Sequence, residues 1–206
     1  RVEKGVSVAP ESEASVKTVS DRYFCTRRVT CLEMVDDAGD EGGGAEARRA
    51  RAPKQELAFS VGRVAAPMVG ASDLAFRLLC RRHGASLCYT EMFFSEQFVA
   101  SAEYREAVFF SQLRNDTLDR PLAVQFAAND PDTLVAAARL VEPHCDMIDL
   151  NLGCPQKRAQ EGLYGAYLLD REHWPRVYRM VRALSNAVAL PVSCKVRLLP
   201  SLAATL

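Results

Sequence analysis

The sequence predicts an α/β fold of parallel strands, a TIM (β/α)8 barrel of which only about the first five β/α units are present. Three observations carry that reading. From Phe59 onward, short apolar runs alternate with longer amphipathic ones. Polar or Gly-containing loops separate them, and the strand–loop–helix unit recurs four times and opens a fifth with its strand. No Gly-x-Gly-x-x-Gly follows the first strand, which weighs against a dinucleotide-binding open sheet. Alternation of this kind implies parallel strands joined by right-handed crossovers. A full barrel takes about 250 residues, whereas these 206 residues stop just past the fifth predicted strand. Five strands cannot close a barrel by themselves.

The elements follow in order. Val61–Ala66 reads as a strand stopped by Pro67. Ser72 is expected to cap a helix through about Gly84, with Leu74, Leu78 and Leu79 on one face and Gly84 closing it. Ser86–Thr90 is the second strand, and residues 95–113 read as mostly helical around Phe98, Tyr104, Val108 and Phe109. Pro121–Phe126 is the third strand. Asp130 caps a helix through about Glu142, with Pro131 suited to its first turn. Asp146–Leu150 is the fourth strand. A loop through Gly165, a helix near 171–187 and a fifth strand, Pro191–Val196, complete the series.

Residues 1–56 are of different composition, rich in Ser, Glu, Ala, Gly and Arg. Such a segment buries too little apolar surface to offset its ordering entropy, so it reads as a disordered, low-complexity extension. Residues 57–206 form the predicted domain. Its hydrophobic content, 49% over the whole chain, is that of a protein with a real core. Acidic and basic residues balance at 26 each, so net charge argues neither for nor against a nucleic-acid partner. Seven cysteines without a close Cys-x-x-Cys pair argue against structural zinc and against a disulfide framework. Cys80, Cys88, Cys145 and Cys194 lie among apolar residues and are expected to pack as small hydrophobes. A reducing compartment, the cytoplasm first, is expected. Because the sequence begins at Arg1, a nuclear or organellar address stays open. No apolar run is long enough to span a membrane, and no oligomer is indicated. His83, His144 and His173 are scattered and form no ligand set, so no metal is expected.

Chemistry concentrates at residues 147–157, Met-Ile-Asp-Leu-Asn-Leu-Gly-Cys-Pro-Gln-Lys. An apolar strand ends near Asn151, and Gly153, Cys154 and Pro155 turn the chain. In α/β folds that end of the sheet is where ligands bind. A thiol there is open to roles as nucleophile, ligand or acid. Pro67 and Met68 end the first strand, Glu91 the second and Gln125 the third. Lys195 lies in the fifth strand, where an ammonium is costly to bury without an acceptor. Arg197 follows on the same side. Lys157 and Arg158 are basic residues beside the thiol, either solvated or placed to meet phosphates.

Ala66-Pro67-Met68, Tyr89-Thr90-Glu91-Met92, Asp149-Leu-Asn-Leu-Gly-Cys-Pro-Gln156 and Lys195-Val196-Arg197 together resemble the tRNA-dihydrouridine synthases. The resemblance covers roughly residues 60–200, and Glu161-Gly-Leu-Tyr-Gly-Ala-Tyr-Leu-Leu169 is similar to the eukaryotic branch acting at tRNA positions 16 and 17. It implies an oxidoreductase that uses FMN, reduced by NADPH or NADH, to convert uridine to dihydrouridine in tRNA. It implies that Pro67, Met68, Gln125 and Lys195 contact FMN, the last near N1/O2 where reduced flavin gathers negative charge. It places Asn151 near the base and flavin, and Lys157 and Arg158 toward tRNA. A free thiol of ordinary pKa near ~8.5 is protonated at neutral pH and can give up a proton. The resemblance gives that role, at C5 of uracil, to Cys154. It also implies later strands that hold the flavin phosphate and a helical domain that grips tRNA. Competing readings are another FMN-dependent pyrimidine dehydrogenase, or a non-catalytic half-barrel.

Overall fold

A computed structural model describes residues 62–113 and 117–197. The predicted extension 1–56 lies outside the described residues. The strands are β1 (Arg63–Ala65), β2 (Ala85–Phe94), β3 (Leu122–Ala127), β4 (Met147–Leu152) and β5 (Val192–Val196). The helices are α1 (Leu74–Arg82), α2 (Ser95–Ala100), α3 (Ala102–Val108), α4 (Pro131–Val141), α5 (Lys157–Glu161) and α6 (Trp174–Ala187). All neighbouring strands pair in parallel, in the order β1-β2-β3-β4-β5. That sequential order is the one a barrel requires, and the architecture is a partial TIM barrel.

Burial divides the sheet into two faces. Val124 and Phe126 of β3 and Ile148, Leu150 and Leu152 of β4 pack on Leu134, Ala137, Ala138 and Val141 of α4 and on Met180 and Leu184 of α6. The α4 set falls at i, i+3, i+4 and i+7, the stripe a helix shows to a core. Asp130 starts that helix as predicted, its Oδ1 accepting from Thr133 N at 2.9 Å, with Pro131 in the first turn. Phe98, Phe109 and Phe126 extend this core as edge-to-face rings. Fully burying one such side chain stabilises the fold by about 1.5–3 kcal/mol. The face turned away from the helices begins with a small apolar layer, Leu87, Ala123 and Met147, and then turns polar. Both β3 and β4 are buried along their whole length.

Several boundaries differ from expectation. The cap of α1 is Asp73, which accepts from Phe76 N at 2.8 Å, not Ser72. Leu79 is exposed, and the buried residue of α1 is Arg77, whose Nε at 2.9 Å and Nη2 at 2.7 Å both donate to Asp119 Oδ2, while Arg81 Nε lies 3.4 Å from Oδ1. A guanidinium buried with its carboxylate satisfied on both sides replaces the expected leucine contact. Strand β2 runs on to Phe94, so Glu91 lies inside it; its register shifts between Tyr89 and Met92. The 95–113 segment breaks at Ser101, whose hydroxyl caps α3 by accepting from Tyr104 N at 3.0 Å. The predicted loop after Cys154 contains α5 and a 3-10 turn, Gly165–Leu169.

Candidate active site

The turn that carries Cys154 hangs on one atom. Asn151 Oδ1 accepts from Gly153 N at 3.0 Å and from Cys154 N at 2.9 Å. An Asn at a strand end can do this because its short side chain reaches backbone two and three residues on. On the other flank Cys154 O accepts from Ala166 N at 3.0 Å, and Arg197 Nη1 donates to Gly153 O at 3.3 Å. Gly165, at φ +66°, lies so close that a Cβ there would sit 2.6 Å from Cys154 O. Cys154 itself is half-buried in a nest of Met92, Phe94, Ala127, Ala159, Tyr164 and Tyr167. Phe94, Ala127 and Tyr164 also line an adjoining cavity of about 610 Å³, within the range of ligand pockets.

Beneath the turn, the polar face of the sheet forms a continuous hydrogen-bonded row. Asn151 Nδ2 donates to Gln125 Oε1 at 2.9 Å, and Gln125 Nε2 donates to Asp149 Oδ2 at 2.7 Å. Ser193 Oγ holds the other carboxyl oxygen, Oδ1, at 2.6 Å and also bonds Tyr89. The parallel register builds this row, since it aligns Gln125 with Asp149, Asp149 with Ser193, and Asn151 with Lys195. Burial pushes the Asp149 carboxyl up to about 7, against the hydrogen bonds from Ser193 and Gln125 and the charge of Lys195, which favour ionisation. Burial, and next the Asp149 charge, push the Tyr89 phenol upward as well.

The remaining predicted residues distribute around this row. Ser72, buried, pins the Ala66-Pro67-Met68 turn: its Oγ donates to Ala66 O at 3.0 Å and accepts from Met68 N at 2.9 Å. Met68 is exposed rather than in the core. Glu91 Oε2 accepts from Gly70 N at 2.7 Å, so it secures the same loop, and Arg197 reaches Gly153 O. Among the described residues β5 is the last strand of the sheet, and the Lys195 side chain on it is exposed. It still stands in register with Asn151, close enough for its charge to act on Asp149. Lys157 is exposed and 3.5 Å from Glu161, while the Arg158 guanidinium lies 4.8 Å over the Phe94 ring. Among the described residues no cluster of His, Cys, Asp or Glu could hold a metal ion, and no helix is long and apolar enough to cross a membrane.

The sequence profile of the Dihydrouridine synthase (Dus) family matches residues 63–200, through all five strands and the Cys154 turn. The chain belongs to the dihydrouridine synthase family. The tRNA-dihydrouridine(16/17) synthase (NAD(P)(+))-like protein of Rattus norvegicus is 49% identical over 139 residues, which is 68% of this chain and 31% of the rat protein. The tRNA-dihydrouridine(16/17) synthase (NAD(P)(+)) of Saccharomyces cerevisiae is 48% identical over 136 residues, 66% of this chain and 31% of the yeast protein. The tRNA-dihydrouridine synthase B of Yersinia pestis is 39% identical over 137 residues, 65% of this chain and 40% of the bacterial protein. This member of the family thus spans about a third of the length of the rat and yeast relatives.

Reading residues alone overlooked Asp149, Ser193, Tyr89, Ser72 and the closeness of Gly165. Asp149 left one usable signal. It stands two residues before Asn151 and therefore on the same face of β4, an acid in an otherwise apolar strand.

Proposed function

We propose that this chain carries the reaction-centre face of an FMN-dependent tRNA-dihydrouridine synthase. The overall reaction reduces uridine in tRNA to 5,6-dihydrouridine, with NADPH or NADH as the source of electrons. Relatives named for positions 16/17 range from 43 to 49% identity and those named for 20a/20b are 43–44% identical, so the upper end of the range favours 16/17 here.

The donor set suits a flavin. Asn151 places an amide at the carboxyl end of the sheet, supported from below by Gln125, and the ammonium of Lys195 stands in register with it on β5. An aromatic ring that gathers negative charge at N1/O2 would be held by that ammonium, with Pro67 and Met68 against its plane. When bound, such a cofactor supplies the hydride that reaches C6 of uracil.

The chain's own residues supply the rest. Cys154 Sγ gives its proton to C5 as the new C–H bond forms, and the thiolate left behind regains a proton from solvent. Asn151 keeps that thiol at the end of β4 by gripping two successive backbone N–H groups. Exposed Lys157, beside Glu161, and exposed Arg158, over the Phe94 ring, meet tRNA phosphates near the thiol. The free cysteines among the described residues suit a reducing compartment, and we assign the protein to the cytoplasm.

The grip of Asn151 on the Cys154 turn is the observation that carries this reading. In the full-length protein, Cys154→Ala should retain bound FMN yet lose dihydrouridine formation on a tRNA transcript by at least ~100-fold. Undiminished turnover would remove Cys154 from the acid role.

A further inference from the structure

We propose that Asp149 is a positioning residue for Cys154. It is the acceptor that terminates a one-way hydrogen-bond row, and it thereby sets which way the amides of Gln125 and Asn151 face. The inference takes from the preceding section only that Cys154 has to be held in place.

The direction of the row follows from its upper end. Gly153 and Cys154 present backbone N–H groups, which can only donate. The Asn151 atom they share is therefore oxygen, and its NH2 must face Gln125. Gln125 must answer with its own oxygen, which turns its NH2 toward Asp149. That group needs an acceptor 2.7 Å away, and Asp149 Oδ2 provides one. Rotating either amide by half a turn would set donor against donor at one end and acceptor against acceptor at the other. Water does not rescue such a mismatch, because Gln125 and Asp149 are each 1% exposed.

The choice of residue is chemically sensible. Asp149 can accept from Gln125 in either protonation state, because its carboxylate has no donor and its neutral acid can direct its O–H to the Ser193 hydroxyl. Its second oxygen is fixed by Ser193 Oγ at 2.6 Å, which stops the group from turning away. An amide in the same place would also serve, provided its oxygen faces Gln125 and its NH2 faces the Ser193 hydroxyl, which accepts as readily as it donates. An apolar side chain of the same length would leave the buried Gln125 NH2 without an acceptor, and that penalty would loosen the row on which the Asn151 turn rests.

The test follows the turn itself rather than turnover. Full-length protein is treated with iodoacetamide at one pH, and alkylation of the Cys154 peptide is compared with that of Cys80 by mass spectrometry. Asp149→Leu should raise the Cys154 rate about tenfold or more while leaving Cys80 unchanged, as local opening of the turn would. Asp149→Asn should stay within about threefold of the parent protein, because it preserves the direction of the row. An unchanged rate in Asp149→Leu, or an equal acceleration in both variants, would overturn the proposal. If Asp149→Leu does not fold, Asn151→Asp replaces it, alone and combined with Asp149→Asn. The single change sets two acids against one amide, whereas the pair reverses the whole row with every partner satisfied. The pair should therefore recover folding and slow alkylation, and a pair no better than the single change would equally overturn the idea. Because no readout depends on dihydrouridine, failure here leaves proton donation by Cys154 standing, and the converse also holds.

Discussion

Gly165 sets the tightest limit on the Cys154 turn. Its φ of +66° is open to glycine and strained for any other residue. An added methyl would lie 2.6 Å from Cys154 O, 2.9 Å from its Cβ and 3.1 Å from its N, all near backbone that Asn151 holds in place. Gly165→Ala should therefore destabilise the full-length protein by about 2–3 kcal/mol. It should also lower turnover by displacing the thiol. Urea unfolding and a tRNA reduction assay check both effects, and a variant of unaltered stability would show that the turn has room to shift. At this scale legibility from sequence was uneven. Asn151, Cys154 and Gln125 were visible because each ends a recognisable strand, and all three are brought together. The role of Gly165 was not visible, because it depends on a loop returning across the turn.

Among the elements, β4 concentrates the most consequence, because it is buried on both faces and still carries an acid on the polar one. Burial raises the folded-state pKa of Asp149 from an ordinary 3.8 to about 7, so between those values the folded chain binds more protons than the unfolded one. The sign is then fixed: this contribution to stability is complete below about pH 4 and is lost as pH rises through 7. Relative to Asp149→Asn, which cannot ionise, the parent protein should lose about 3 kcal/mol between pH 5 and 8. Urea melts of both proteins across that range measure it, and parallel curves would mean that Asp149 stays ionised throughout. Strands such as β3 and β4 were legible because parallel strands covered on both sides read as continuous apolar runs. The length of β2 was not, since Glu91 interrupts its apolar run and is accommodated by tertiary means, as the acceptor for Gly70 N. The break between α2 and α3 escaped for a similar reason. Ser101 reads as an ordinary helix residue until its hydroxyl is seen to cap the second segment.

Across the whole molecule, the sheet's two faces divide the labour between stability and chemistry. The helix-covered face holds the large apolar core, and the opposite face is a polar row that ends at Asp149 and Ser193, with Lys195 beside it on β5. Strand β5 is less buried than β3 or β4, so a ligand that engages Lys195 would tie this strand to its neighbour. Binding to the folded state alone stabilises it by mass action, by about 2.7 kcal/mol at a ligand concentration one hundred times Kd. Adding FMN to flavin-stripped full-length protein should therefore raise its melting temperature. In Lys195→Ala the ammonium is gone, and tenfold weaker binding would remove about 1.4 kcal/mol of that gain at the same FMN concentration. Melting curves with and without FMN on both proteins separate the two contributions. Comparing each protein with its own FMN-free melt isolates the binding contribution from any change in the fold itself. An FMN-induced rise of equal size in the two proteins would place the flavin's negative end away from β5.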